Sequence, residues 1–233
     1  AEAARDYAQW VQELNRSGSA VAAQVQALED EAQAVQIAAS GHVTLKQAIE
    51  DVALARLRED HELAAEWQMI ADEIHADICE RAVDERGVFT QHYDTTALDA
   101  SCLLLPLLRF LPADDSRIRN TVLAIADELT DEGLVLRYRT DQTDDGLPGE
   151  EGTFTICSFW LVSALVEIGE LDRARQLCER LLGYASSLQL YAEELDPRTG
   201  RHLGNFPQAF THLALINAVM HVIRAEQSSV EQA

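Results

Sequence analysis

Lysine is almost absent from this sequence. Lys46 is the only one among 18 basic residues, so a lysine-based phosphate loop has almost nowhere to form. Positive charge is scarce as a whole: set against 40 Asp and Glu, it leaves a formal charge of −22. A surface that negative repels phosphate backbones and anionic lipids, which argues against nucleic acid and membrane as partners. A neutral ligand such as a sugar is compatible with it. Apolar runs stay well short of the roughly 18 residues a membrane span needs, so none is expected. Cysteine is sparse: Cys79, Cys102, Cys157 and Cys178 form no Cys-x-x-Cys pair and sit in helical apolar patterns. Buried free thiols are expected there, with neither disulfides nor a metal site. The first residues, from Ala1 to Asp6, lack the basic flank and apolar stretch of a signal peptide. With the cysteine usage, this makes a cytoplasmic location the expectation.

Hydrophobic residues make up 47% of the 233 positions, enough to bury one sizeable core or two small ones. Their spacing is helical. Residues 1–40 are rich in Ala, Gln and Glu and read as a helical segment of uncertain role with a thin apolar stripe. Thr44 caps a predicted helix to about Arg58, with Leu45, Ile49, Val52 and Leu57 on its apolar side. Leu63, Trp67, Ile70, Ile74 and Ile78 follow at steps of three and four. The stretch 88–93 alternates like a strand. Further helices are predicted over about 96–109, from Ile118 to Leu129, over 155–168 and 171–187, and over 207–224, the last burying Phe210, Leu213 and Met220. A polar tail follows from Gln227.

Two acidic loops interrupt this pattern, at about 139–152 and 188–205. Loops that long inside a helical domain usually carry function. In an array of antiparallel helix pairs, loops separated by an even number of helices emerge at the same end, so these two should share one face. The first offers Arg137, Arg139, Asp144, Asp145, Glu150 and Glu151; the second offers Glu193, Glu194 and Asp196. Such carboxylates suit a hard cation, acid–base catalysis or solvation alone. The spacing of Asp141, Thr143 and Asp145 lacks the bidentate Glu of a calcium loop, so no metal is assigned. Phe154, Trp160 and Phe210 lie close to the loops in sequence. Rings beside carboxylates and an arginine make the usual lining of a sugar site, although core packing explains each ring equally well.

Five stretches stand out: Arg137-Tyr138, the run from Asp145 to Phe154, Cys157-Ser158-Phe159-Trp160-Leu161, the run from Ala192 to Pro197, and the run from Gly204 to His212. With Phe89-Thr90-Gln91 and Leu98-Asp99-Ala100-Ser101 upstream, they resemble the glucoamylase-like glycoside hydrolases of family 15, which also include glucodextranases and trehalases. The resemblance covers roughly 60–225. It implies an all-α fold: a partial (α/α)6 toroid of about seven helices in antiparallel pairs, with two acidic loops at one end, over 41–226. It also implies inverting hydrolysis of an α-linked glucoside or oligosaccharide without a cofactor. Glu193 would be the general base, at about 6.5–9.5 Å from an acid. Arg137, Tyr138, Glu150, Glu151, Phe154 and Trp160 would bind substrate, with Asp99 and Asn205 supporting them from behind.

The family's acid belongs to a Trp-Glu-x-Arg motif upstream, and no such motif is present. A hydrolase lacking part of its machinery is therefore one reading. A catalytically inactive helical carbohydrate-binding or interaction module is the other, and a plain helical scaffold is the remaining one. A half-toroid would leave helix faces uncovered, so self-association or a partner over the open side is expected.

Overall fold

The computed structural model describes residues 41–143 and 151–231. The segment 1–40, Asp144, Asp145 and Glu150 lie outside the described residues. The chain divides into two compact units, residues 1–74 and 75–233. Seven α-helices and a few two-residue strands occur among the described residues.

The first unit holds α1 (Gly41–Leu57) and the first turns of α2 (His61–Arg81). Asp60 caps α2 by accepting the Leu63 N–H at 3.1 Å, after a turn in which Glu59 has φ of +58°. The buried side of α1 is Ala48, Val52 and Ala55. Ile49 and Leu57, expected on that side, are exposed instead. The alanines fix the buried face, because they let neighbouring backbone approach closely where the larger residues would hold it off.

In the second unit the expected strand at 88–93 is reduced to a single bridge, Val83 to Phe89. The helix expected over 96–109 is also much shorter. A 3-10 turn (Ala100–Leu103) leads into α3 (Leu104–Leu107). Backbone pairing explains the loss: Gln91 N–H bonds Ala97 O and Ala100 N–H bonds Arg137 O, each at 2.8 Å, so residues before Ala100 are held extended. Arg109, with φ of +57°, ends the segment.

Helix α4 (Ser116–Glu128) starts at Asp115, whose carboxylate accepts the Arg117 N–H at 2.9 Å. A tight hairpin follows, β1 (Thr130–Asp131) and β2 (Leu134–Val135). Its loop residues Glu132 and Gly133 both have positive φ, as the twist of a two-residue hairpin demands. Strand β3 (Thr153–Phe154) runs straight into α5 (Thr155–Glu167), which is apolar nearly all round and buried on most sides. The short Ile168-Gly169-Glu170 connection makes α5 and α6 (Leu171–Leu182) an antiparallel hairpin. Strands β4 (Glu194–Leu195) and β5 (His202–Leu203) precede α7 (Ala209–Glu231). This last helix extends beyond the predicted end at 224 and takes in most of the expected polar tail.

Helix α5 packs against α6 and, most extensively, α7. The face that α7 buries is Thr211, Ala214, Ala218 and Val222. Phe210, Leu213 and Met220, expected in the core, are 66%, 58% and 39% exposed, and Ile216 and Ile223 continue that outer stripe. Two apolar faces compete on this helix, and the one made of small residues meets α5.

Candidate active site

The two acidic loops meet, as helix parity requires. Strands β3, β4 and β5 form one antiparallel sheet in which Phe154 pairs with Glu194 and Glu194 with Leu203. The end of the first loop is thereby hydrogen-bonded to the middle of the second. Gly152 is needed at this junction. Its N–H donates to Glu194 Oε2 at 2.8 Å, and a Cβ there would lie 2.9 Å from the same oxygen and 3.0 Å from Leu195 O.

Glu193, one residue before β4, is pinned through its main chain on both sides. Thr155 N–H, in the first turn of α5, donates to Glu193 O at 2.9 Å, and Glu193 N–H donates to Asn205 O at 2.9 Å. Its carboxylate collects three donors. Oε2 accepts the Asn205 N–H at 3.1 Å and the Asn205 side-chain amide at 3.0 Å; Oε1 accepts from Gln208 Nε2 at 3.4 Å. Gly204, with φ of +68°, leaves no space for a side chain, since a Cβ would sit 2.8 Å from Glu193 Oε2.

The start of α7 is stapled to the same stretch. Gln208 N–H bonds Tyr191 O at 3.0 Å and Thr211 Oγ1 bonds Ala192 O at 3.2 Å. His212 takes the Tyr191 N–H on Nε2 at 3.3 Å and faces Gln208 O with Nδ1 at 2.7 Å. A carbonyl accepts and an N–H donates, so the ring is the neutral tautomer protonated on Nδ1. The Tyr191 ring packs edge-on against both Phe159 and His212, which ties this staple into the core.

Arg137 follows β2, and its guanidinium ion-pairs with Glu151 at 2.6 Å. The guanidinium carbon lies 5.1 Å from the centre of the Phe154 ring and 4.4 Å from that of Tyr138, and the group also bonds the Tyr138 hydroxyl. Stacking of this kind suits arginine better than lysine, because the planar group keeps its edge donors available. Asp99 supports the strand from behind through its backbone bridge to Tyr138. Its carboxylate caps the 3-10 turn by accepting the Ser101 N–H at 2.8 Å, and Gln91 Nε2 is 3.4 Å away. Below them lies Cys157, whose thiol is pushed up to about 12 by burial and by the Asp99 charge, with Arg137 opposing.

Arg137, Tyr138, Glu151, Phe154 and Asp99 thus form one connected group. Glu193 and Asn205 join it through the β3–β4 pairing. Trp160 is half-buried further along α5 and joins by no hydrogen bond or ring contact among the described residues. Sequence pattern alone does not single out Gln208 or Gly204, although both lie in the stretch that carries the family resemblance. A cavity of about 1090 Å³ lies elsewhere in the unit. It is lined by Arg81, Asp84, Arg86, Asp94, Glu128 and Arg139 among others, and neither Glu193 nor Arg137 borders it. No cluster of three metal-ligating side chains occurs among the described residues.

Known proteins match this chain in sequence and in fold. The family model for glycosyl hydrolases family 15 matches residues 29–220. A trehalase of Mycolicibacterium smegmatis is 72% identical over 176 residues, which is 76% of this chain and 26% of that protein. A trehalase of Thermoplasma acidophilum is 43% identical over 152 residues, 64% of this chain and 26% of that one. Among solved structures, a bacterial glucoamylase complexed with acarbose superposes with a TM-score of 0.62 at 17% identity, over 75% of this chain and 31% of that one. A glycosidase does so with a TM-score of 0.59 at 19% identity, over 75% and 48%. These two share the fold: the described helices are part of a glucoamylase-type all-α architecture. The chain spans about a quarter of the length of the curated relatives it matches. It belongs to glycosyl hydrolases family 15.

Proposed function

We propose that the chain carries the base side of a glucoside-hydrolysing site. Glu193 deprotonates a water that attacks the anomeric carbon of an α-linked glucoside, and inversion follows from attack on the face opposite the leaving oxygen. Arg137, held flat by Phe154 and Tyr138, donates to hydroxyls of the same sugar, and Glu151 fixes its orientation. Glu150 and Trp160 contribute to binding the same sugar. The relatives named as trehalases make trehalose the first substrate to test. The observation that carries the proposal is the Glu193 carboxylate, oriented by Asn205 and Gln208 at the sheet that joins the two loops. All four cysteines are free thiols, which favours a reducing compartment.

Protonation of the leaving oxygen needs an acid, and the sequence has no Trp-Glu-x-Arg. A positioned acid is worth about 10²–10⁴-fold, so this chain by itself should turn over slowly. That observation favours the second reading, a sugar-binding module that retains half a site. Glucose release from trehalose by the whole chain, with Glu193→Gln as control, decides between them. Release abolished by the substitution supports hydrolysis. Saturable trehalose binding without release supports the module, and neither would leave the carbohydrate proposal without support. The uncovered stripe on α7 fits the expected self-association, and sedimentation across a concentration range tests it.

A further inference from the structure

We propose that the two oxygens of Glu193 have separate duties: Oε2 anchors the group and Oε1 receives the proton, with Asn205 and Gln208 as the positioning residues. This rests on the reading of Glu193 as general base. A carboxylate oxygen offers two in-plane lone pairs. On Oε2 both are engaged by Asn205, one through its backbone N–H at 3.1 Å and the other through its side-chain amide at 3.0 Å. Gly204 passes close to the same oxygen, so that a Cβ there would fall 2.8 Å from it. On the lone-pair count, a water hydrogen-bonding to Oε2 competes with one of the two Asn205 donors.

Oε1 differs. Its contact among the described residues is Gln208 Nε2 at 3.4 Å, long for a hydrogen bond, which leaves a lone pair in the carboxylate plane. Gln208 cannot drift away from it. Its N–H is tied to Tyr191 O at 3.0 Å and its carbonyl to His212 Nδ1 at 2.7 Å, so only the side chain is adjustable. Asn205 is placed in turn by its own carbonyl, which accepts the Glu193 N–H at 2.9 Å. The carboxylate is thus clamped at one oxygen and steadied at the other. In the base step, the water O–H bond breaks, its proton forms a bond to Oε1, and the freed electron pair bonds the anomeric carbon, while the C–O bond to the leaving group breaks and its oxygen keeps that bonding pair and takes a proton from solvent water. The Asn205 bonds to Oε2 stay intact throughout.

Two measurements on the whole chain test this. In ¹⁵N-labelled protein, the side-chain amide protons of Asn205 and Gln208 should lie downfield of free amides and return there in Glu193→Ala. Amides that do not respond to that substitution would refute the clamp whether or not the chain is active. In trehalose hydrolysis, Asn205→Ala and Gln208→Leu should each lower kcat by about 10- to 100-fold, the effect of a misplacement of up to about 1 Å, while KM stays nearly constant. Asn205→Asp sets a second carboxylate against Oε2; its loss should be larger at neutral pH and partly recovered in acid, where one of the two is protonated. A rise in KM at constant kcat would overturn the assignment, making these residues sugar ligands. If the unaltered chain releases no glucose, the hydrolytic reading fails, and the clamp stands or falls on the amide shifts alone.

Discussion

Replacing Gly204 with alanine tests the geometry around Glu193, because the structure supplies its own control. Gly204 and Gly169 both have positive φ, +68° and +81°. An alanine in that region costs about 1–2 kcal/mol in backbone strain at either site. The surroundings differ completely. Nothing lies within 4 Å of a Cβ at Gly169, whereas one at Gly204 would lie 2.8 Å from Glu193 Oε2 and 3.1 Å from Glu193 Cβ. Relief of that overlap requires the carboxylate to move by several tenths of an ångström, weakening its two bonds to Asn205. Hydrogen bonds to a charged group contribute about 1.5–3 kcal/mol each, so partial loss adds about 1–3 kcal/mol beyond strain. Gly169→Ala should therefore lower the midpoint of thermal unfolding by about 2–4 °C per kcal/mol of strain and leave sugar chemistry unchanged. Gly204→Ala should lose more stability and, in addition, about 10- to 100-fold in the rate of glucose release. Circular dichroism during heating and a coupled glucose assay read the two effects separately. Equal behaviour of the two variants in both assays would show that Gly204 does not crowd Glu193, and the argument for a clamped carboxylate would fail with it.

Other residues give independent checks. Arg137→Ala should weaken trehalose binding about 10-fold or more in calorimetry, the scale of a lost charge-assisted hydrogen bond, and unchanged affinity would remove Arg137 from the site. Ser158→Ala strands the buried Val135 N–H, which now donates to Ser158 Oγ at 2.9 Å; urea unfolding should show a loss of about 1–3 kcal/mol. Burial pushes the Cys102 and Cys157 thiols up to about 12, so both should stay silent towards a disulfide reagent at pH 8 until the chain unfolds, with half-buried Cys79 reacting first. Simultaneous reaction of all four would contradict the packing around α5. Burial pushes the Asp84 carboxyl upward, but hydrogen bonds from the Arg86 side chain and the Val88 and Arg86 N–H groups outweigh it, holding the group below its ordinary value. A lowered folded value stabilises above the unfolded value, near 4, and that contribution disappears as pH falls through the folded one. Asp84→Asn should then be less stable than the parent at pH 7 and approach it at pH 2, and a constant gap across that range would show that the charge is not what stabilises.

Most of the helical framework was legible from the sequence because long stripes at steps of three and four have few alternatives. The Ile118 to Leu129 stripe and the run through Phe159 to Leu165 both fold as read. Helix parity likewise brought the two acidic loops together without any knowledge of contacts. What escaped was set by interactions that leave no periodic trace. The helix predicted over 96–109 yielded to backbone pairing with residues 91 and 137, which no local propensity encodes. Gln208 reaches Glu193 only because α7 is stapled to residues 191–192, a register fixed by tertiary hydrogen bonds. On α7, hydrophobicity alone favours burying Phe210 and Leu213, the face that the structure leaves exposed. Close approach to α5 instead selects Thr211, Ala214 and Ala218.

That reversal bears directly on the site. Interaxial distance between packed helices depends on the side chains at the contact, and small ones permit the closest approach. With Ala214 and Ala218 against α5, the first turn of α7 is drawn near the first turn of α5. Glu193 lies between those two turns, bonded to Thr155 N–H at the start of α5 and to Gln208 at the start of α7. Large residues on the contact face would spread the helices and pull these two anchors apart, stretching the long Gln208 contact first. The position of the carboxylate is therefore a consequence of core packing two turns away as much as of the loop that carries it. A site residue on a loop gains a helix-like fixity when both of its neighbours are helix ends held together by a tight interface.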